Sequence, residues 1–365
     1  MAVADPDNIL EEHHHHDPFI AHHFESAEQQ FDSGKLGIWI FLVTEVLFFS
    51  GLFVAYTLWR LHHPEIFQQA HHFLDKNLGA LNTIVLLFSS LTMALGVHAA
   101  QNGDNKKCGL YTLITMVCAA MFLGVKAVEY SHKWDMGIFV RSAFNYTNHH
   151  AEGISPYLLG LSAIPALLLV GFIGASVFTK TMDNELLPKF FAGMALTVGG
   201  YFLGVLVGMG FMALTAGDGG GHASVERVAP VVLHAQTADE HHAEDGHAAD
   251  SHAADGHEEH GDAHATHAAE GDHAHGDDAH HGHKKSTADP MDRDVGVFFS
   301  IYYCMTGLHA IHIIAGIIAL AWVFYRCLAL HWRPDYFGPV DYVGLYWHLV
   351  DLIWIYLFPL LYLID

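Results

Sequence analysis

Polar and apolar residues in this chain do not alternate; they come in long blocks. Seven apolar stretches stand out, near residues 36–60, 80–101, 109–130, 156–179, 190–215, 295–325 and 341–364. Each meets or exceeds the roughly 20 residues that a helix needs to cross about 30 Å of hydrocarbon. Transmembrane barrels read instead as alternating segments of about ten residues. Lipid offers backbone groups no partner, so the expected fold class is an all-α polytopic membrane protein with seven transmembrane helices. Gly200, Gly204 and Gly208 recur at every fourth residue. That spacing lets a neighbouring helix approach closely, although glycine is also simply common in membrane helices. Pro165 and Pro359 fall inside apolar stretches and predict kinks there.

The polar blocks change the picture in a different way. Of 365 residues only 15% are charged, and the balance is acidic, 16 Lys and Arg against 39 Asp and Glu. A net charge of −23 disfavours nucleic acid as a partner, because phosphate binding needs clustered cations. Residues 218–292 hold 17 of the 39 acids and 15 of the 33 histidines, with Arg227, Lys284 and Lys285 as the basic residues. This block has no apolar periodicity and reads as a disordered polar loop. It suits either metal buffering or a solvated acidic spacer whose histidines gain charge below about pH 6.5. Residues 1–30, with the run His13–His16, form a second acidic, His-rich tail. No charged segment with a short apolar run behind it opens the chain, so no cleaved leader is expected. Cys108, Cys118, Cys304 and Cys327 make no CxxC pair; that excludes a disulfide scaffold and the usual zinc spacings, and leaves them as small buried hydrophobes.

Lys and Arg in the short loops set the orientation. With the N-terminus cytoplasmic, the inner loops carry Lys106, Lys107, Lys180, Lys189, Arg326 and Arg333, and the outer ones Lys76, Lys133 and Arg141. The bias places the N-terminus inside, and the C-terminus and the His-rich loop outside.

Ionisable residues inside membrane spans are costly and therefore candidates for function. Glu45 stands about 13 Å into the first span by helical rise. Its neighbours one turn away are Phe41, Leu42, Phe48 and Phe49, which cannot neutralise it. It reads as a proton-binding or interface carboxyl, or as a protonated acid bonded to another helix for packing. His309 and His312 share one face of the sixth span, and His348 and Asp351 one face of the seventh. The four can converge into a structural polar cluster; a metal site or haem ligation is conceivable but not signalled by such isolated pairs. Glu129 and Tyr130 close the third span with Lys126 at i−3, which suits either a local ion pair or a snorkelling lysine. His63-Pro64-Glu65-Ile66-Phe67 falls in a short loop and carries no assignment.

Taken together these segments resemble subunit III of the haem–copper cytochrome c oxidases. The similar segments, in family order, are Lys35–Phe49 with Glu45; Leu81-Asn82-Thr83 with Leu86–Ser90 and His98; Glu129-Tyr130; Thr306–His309 with His312 and Gly316; and Tyr346-Trp347-His348-Leu349-Val350-Asp351 with Trp354. They cover 35–130 and 295–364. The resemblance implies an accessory subunit with no catalytic residue, metal or cofactor of its own. Haem and copper would lie in the partner subunits I and II, and phospholipid would be bound. The subunit would support proton uptake and the stability of subunit I in the bacterial plasma membrane, with other respiratory complexes as further partners. By the same resemblance Glu45 is the family's buried carboxyl, while His309, His312, His348 and Asp351 are structural. Asn82, His98, Glu129, Tyr130 and Trp347 are family-motif positions.

The middle of the chain departs from that pattern. The expected organisation is a cytoplasmic tail at 1–35, core helices at 36–130, an inserted loop and helix pair at 131–216, the His-rich loop at 217–294, and core helices at 295–365. Inserting two spans keeps the later helices in their original orientation. Two competing functions also fit the sequence. One is a divalent-metal transporter, suggested by the His-rich loop, although such a protein should show i, i+4 His/Asp pairs in its membrane helices. The other is the same family serving a quinol oxidase or a nitric oxide reductase.

Overall fold

A computed structural model describes residues 24–140, 155–182, 185–217 and 290–364. The His13–His16 run, Arg141 and residues 218–289 of the His-rich block lie outside them. All described residues fall within one compact unit. The helices are α1 (Ala27–His62), α2 (Pro64–Ala70), α3 (Lys76–Gln101), α4 (Asn105–Asp135), α5 (Pro156–Thr179), α6 (Leu186–Gly217), α7 (Pro290–Leu328) and α8 (Gly338–Tyr362), with a 3₁₀ turn at His71–Phe73. Seven of these, all but α2, are long and apolar enough to cross a membrane.

Most helices run past the apolar stretches that announce them, because backbone bonding continues until a capping residue stops it. Ser26 caps α1 by accepting from the Gln29 amide, and Ser155 caps α5 ahead of Pro156. Asp75 accepts from the amides of Asn77 and Leu78 at the start of α3. Asp104 does the same for α4 through Lys107, and those bonds hold its carboxyl below the usual range. Two boundaries move as a result. Residues 27–35, expected in the tail, belong to α1, and 290–294, expected in the loop, open α7 with Pro290 as its first residue. Gly103, with φ +70°, makes the tight reversal from α3 to α4 that a side chain would strain.

Helix α1 touches the bundle along a narrow seam. Its buried residues are Leu42, Phe49 and Tyr56, seven apart, with Leu52 and Trp59 partly buried beside them. That is the spacing of a coiled-coil edge, and Glu45 occupies a position on it. The connector behind the seam, expected to be a loop, is folded. Pro64 starts α2, whose Phe67 ring packs edge-on against Tyr56 and Phe298 with centroids 5.2 Å away from each. The Tyr56 hydroxyl donates to the Leu360 carbonyl of α8.

Helix α6 lies directly on α4. A methyl group at Gly200 would come within 2.7 Å of the Val117 carbonyl, and one at Gly204 would overlap the Met121 carbonyl. At Gly208 it would sit 3.3 Å from the Val128 side chain. Backbone-to-backbone approach of this kind supplies the van der Waals contact that holds helices together where the hydrophobic effect between them is absent. Pro165 and Pro359 lie inside α5 and α8.

Candidate functional site

The seam position of Glu45 faces α7. Its Oε2 lies 3.0 Å from Nε2 of His312, and the ring of Phe49 packs against the imidazole at 5.1 Å. The other ring nitrogen of His312, Nδ1, is 2.9 Å from the carbonyl of Leu308. A carbonyl can only accept, so Nδ1 carries hydrogen. Contact between Nε2 and the carboxyl is then favourable only with one proton between them, either on the acid facing a neutral ring or on the ring facing a carboxylate. The pair is therefore a one-proton unit in a helix seam. Side-chain exposure is 18% for Glu45 and 17% for His312, so the pair is partly open at the flank of the bundle.

The single cluster expected of His309, His312, His348 and Asp351 is divided in the structure. An i, i+3 spacing turns side chains about 60° apart around a helix, enough to send His312 to α1 and His309 inward. His309 is fully buried between Phe122 and Trp354. Neither of its ring nitrogens has a hydrogen-bond partner among the described residues. His348 Nδ1 meets Ser90 Oγ at 2.8 Å. Asp351 accepts from Ser89 at 3.2 Å, and Trp347 donates its indole N–H to the same serine at 3.1 Å. Asn82 is completely buried, with both amide atoms lacking partners among the described residues. His98, at the end of α3, contacts Asn102 on the exposed surface.

A second charged site is enclosed by α4, α7 and α8. Glu129 Oε2 receives Lys126 at 2.9 Å, while Oε1 receives Lys133 at 2.7 Å, Tyr302 at 2.8 Å and Tyr362 at 2.6 Å. Lys126 also donates to Tyr362 at 2.5 Å and stands 4.6 Å above the Trp354 ring. Lys126 thus turns inward and does not snorkel. Lys133, expected in an outer loop, sits in the last turn of α4 with 2% exposure, because the carboxylate one turn back draws it in. Tyr130 bonds Thr306 at 2.5 Å across to α7. Every oxygen of Glu129 is satisfied, which is the arrangement of a structural rivet.

A cavity of about 720 Å³ opens between the start of α1 and the approach to α8, lined by Glu28, Phe31, Asp335, Phe337 and Tyr342 among others. Among the described residues no three His, Cys, Asp or Glu side chains gather to hold a metal ion.

Comparison with known proteins gives this geometry its context. A family model described as cytochrome c oxidase subunit III matches residues 16–156 and 287–365, more than half of the chain, with α5 beyond its first residue and all of α6 unmatched. A cytochrome c oxidase subunit 3 from Corynebacterium diphtheriae is 32% identical over 144 residues, 37% of this chain and 68% of the relative. The corresponding protein of Thermostichus vulcanus is 38% identical over 74 residues, 19% of this chain and 35% of the relative. A quinol oxidase subunit 3 from Bacillus subtilis is 32% identical over 114 residues, 29% of this chain and 52% of the relative. The matched stretches thus span from about a third to two thirds of these relatives' own lengths. Matched segments carry Glu45, the Glu129 site, His312 and Asp351, and the chain belongs to the cytochrome c oxidase subunit III family of the haem–copper oxidases.

Proposed function

We propose that this chain is a non-catalytic subunit III that seats against the oxygen-reducing subunit I of a respiratory oxidase and helps sustain its proton uptake and stability. The observation that carries the reading is the one-proton Glu45–His312 unit on the α1 seam. The opposite face of α1 is bare, with Leu36, Trp39, Ile40, Val43, Val46 and Leu47 all at least half exposed. An acid is tolerated at the edge of such a face when a neighbouring helix shares its proton and a partner protein shields its flank. Haem and copper are assigned to subunits I and II, and bound phospholipid to the apolar flanks. No residue of this chain is assigned to hold a redox centre.

For orientation, the same reading puts the N-terminus in the cytoplasm of a bacterial plasma membrane. The burial of Lys133 with Glu129 takes one cation out of the outer-loop count and sharpens the bias toward positive inner loops. Relatives named for cytochrome c and for quinol oxidases both match, and on this reading the electron donor is bound by the partner subunits. On this reading α5 and α6 are an inserted pair carried on the outer side of α4.

Recovery of the tagged full-length chain from detergent-solubilised membranes tests the proposal. Expected are a haem absorption spectrum and two co-purifying oxidase subunits. A Glu45→Gln complex should keep its haem and lose turnover stability and proton uptake. A chain that purifies without haem or companions would defeat the reading.

A further inference from the structure

Cys108 and Cys327 are 219 residues apart in sequence, yet their sulfurs lie 3.2 Å from each other, one thiol hydrogen-bonded to the other. Cys108 is in the first turn of α4 and Cys327 in the last turn of α7. Both are free and buried, at 0% and 2% exposure. The α4 backbone also comes close to the Cys327 side chain, since a methyl group added to Gly109 would fall 3.2 Å from Cβ of Cys327. A reciprocal pair of bonds fixes the register beside them. Asn105 donates to the Trp332 carbonyl at 2.9 Å, and the Trp332 amide donates to Asn105 Oδ1 at 3.0 Å. The sulfurs need to close by only about 1 Å to reach bonding distance. Two unrelated single cysteines on separate helices have no packing reason to present sulfur to sulfur, since either could be satisfied by any small apolar neighbour.

We propose that Cys108 and Cys327 form an oxidisable thiol pair, a modification site at which a peroxide-class oxidant installs a disulfide between α4 and α7. In the first step the sulfur of one cysteine attacks a peroxide oxygen. The O–O bond breaks, the thiol proton goes to the departing hydroxide, and water and a sulfenic acid result. In the second step the other thiol attacks the sulfenic sulfur. The S–O bond breaks, a second water leaves, and the S–S bond forms. Two electrons from the two sulfurs reduce one peroxide to two waters, so no further reductant is required. Hydrogen peroxide reaches the pair because both cysteines lie in terminal turns, which open locally more readily than helix middles. The bond would close the long chain loop that contains α5 and α6, joining α4 to α7 covalently around the pair.

The test uses the intact complex in native membranes, from a chain carrying a specific protease site inserted between residues 222 and 287. After hydrogen peroxide treatment, thiol blocking and cleavage, the piece ending in α6 and the piece beginning with α7 should migrate as one band without reductant and as two with it. Cys108→Ser and Cys327→Ser should each abolish the linkage, whereas Cys118→Ser and Cys304→Ser should leave it intact. Complex recovery, followed by its content of this chain, shows that each variant is assembled. Separate pieces after peroxide in the assembled wild type, or a linkage that survives Cys108→Ser, would overturn the assignment.

Discussion

Glu129 and Glu45 are the same side chain inside membrane helices of one bundle, and their surroundings differ in kind. Glu129 receives four donors from three helices and is 2% exposed. Glu45 has one charge-capable partner, His312, and stands at the edge of a bare helix face. A saturated carboxylate has nothing left to exchange, so its contribution is to hold α4, α7 and α8 together. A singly bonded one at the edge of the α1 seam can exchange its neighbour at small structural cost. The number of donors, more than depth, separates the saturated acid Glu129 from Glu45, the acid proposed to serve the assembly.

The largest effect that could break this contrast is at Glu129. Replacing it with Ala leaves two buried ammonium groups facing each other without a counter-charge, and removing one partner of a buried ion pair costs about 3–5 kcal/mol. Glu129→Ala should therefore fail to accumulate in membranes or lose most of its unfolding free energy in mixed micelles. A variant that melts like the parent would show that the four donors are incidental. The next effect is steric. Gly204→Leu drives a side chain into the Met121 carbonyl, which only separation of α6 from α4 relieves. Overpacking of this kind costs about 1–3 kcal/mol, measurable as a lower melting temperature, while Gly199→Leu, where an added carbon meets nothing within 4 Å, should be near neutral.

At Glu45 the expected effect on stability is small. Glu45→Leu or His312→Ala each removes the one hydrogen bond between them, worth about 0.5–1.5 kcal/mol, and the chain should still assemble. The double variant should lose little more than either single one, since the two side chains share one interaction. Additive losses in the double variant would mean that the 3.0 Å contact contributes nothing, and Glu45 would then be no different from any other buried acid.

How much of this was legible in the sequence follows from the range of each interaction. The seven spans are written in local composition, and so was the anomaly of Glu45 among Phe and Leu. The seam at 42, 49 and 56 is a seven-residue period that can be read beforehand, and it would have pointed Glu45 at a neighbour. Its partner could not be named, because His312 lies 267 residues away. The same holds for Cys108 and Cys327, which are unremarkable alone. Lys133 looked like a loop cation because its counter-charge is one turn back, on a helix that outlasts its apolar stretch. The α2 segment is not legible in the sequence because its apolar residues are too few to signal a span, and only the neighbouring Tyr56 and Phe298 make its burial worthwhile.

The smallest effect is outside the membrane, in the connector that backs the α1 seam. His71 is 7% exposed, its ring 4.1 Å from that of His72, and Lys76 is nearby. Burial foremost, then the charge of His72, lowers the His71 pKa below the usual 6.5, against weaker support from the Phe67 and Gln68 carbonyls. The unfolded connector therefore takes up a proton before the folded one does. Stability from the neutral ring is fully present above about pH 6.5 and is lost as the pH falls from there toward the lowered folded value. Hydrogen exchange at the amides of residues 64–74, corrected for intrinsic rates, should show faster opening at pH 5 than at pH 7, and His71→Phe should flatten that dependence while leaving α3 and α4 unchanged. Equal acceleration throughout the bundle would place the acid sensitivity elsewhere, and the connector would then owe its order to Phe67 alone.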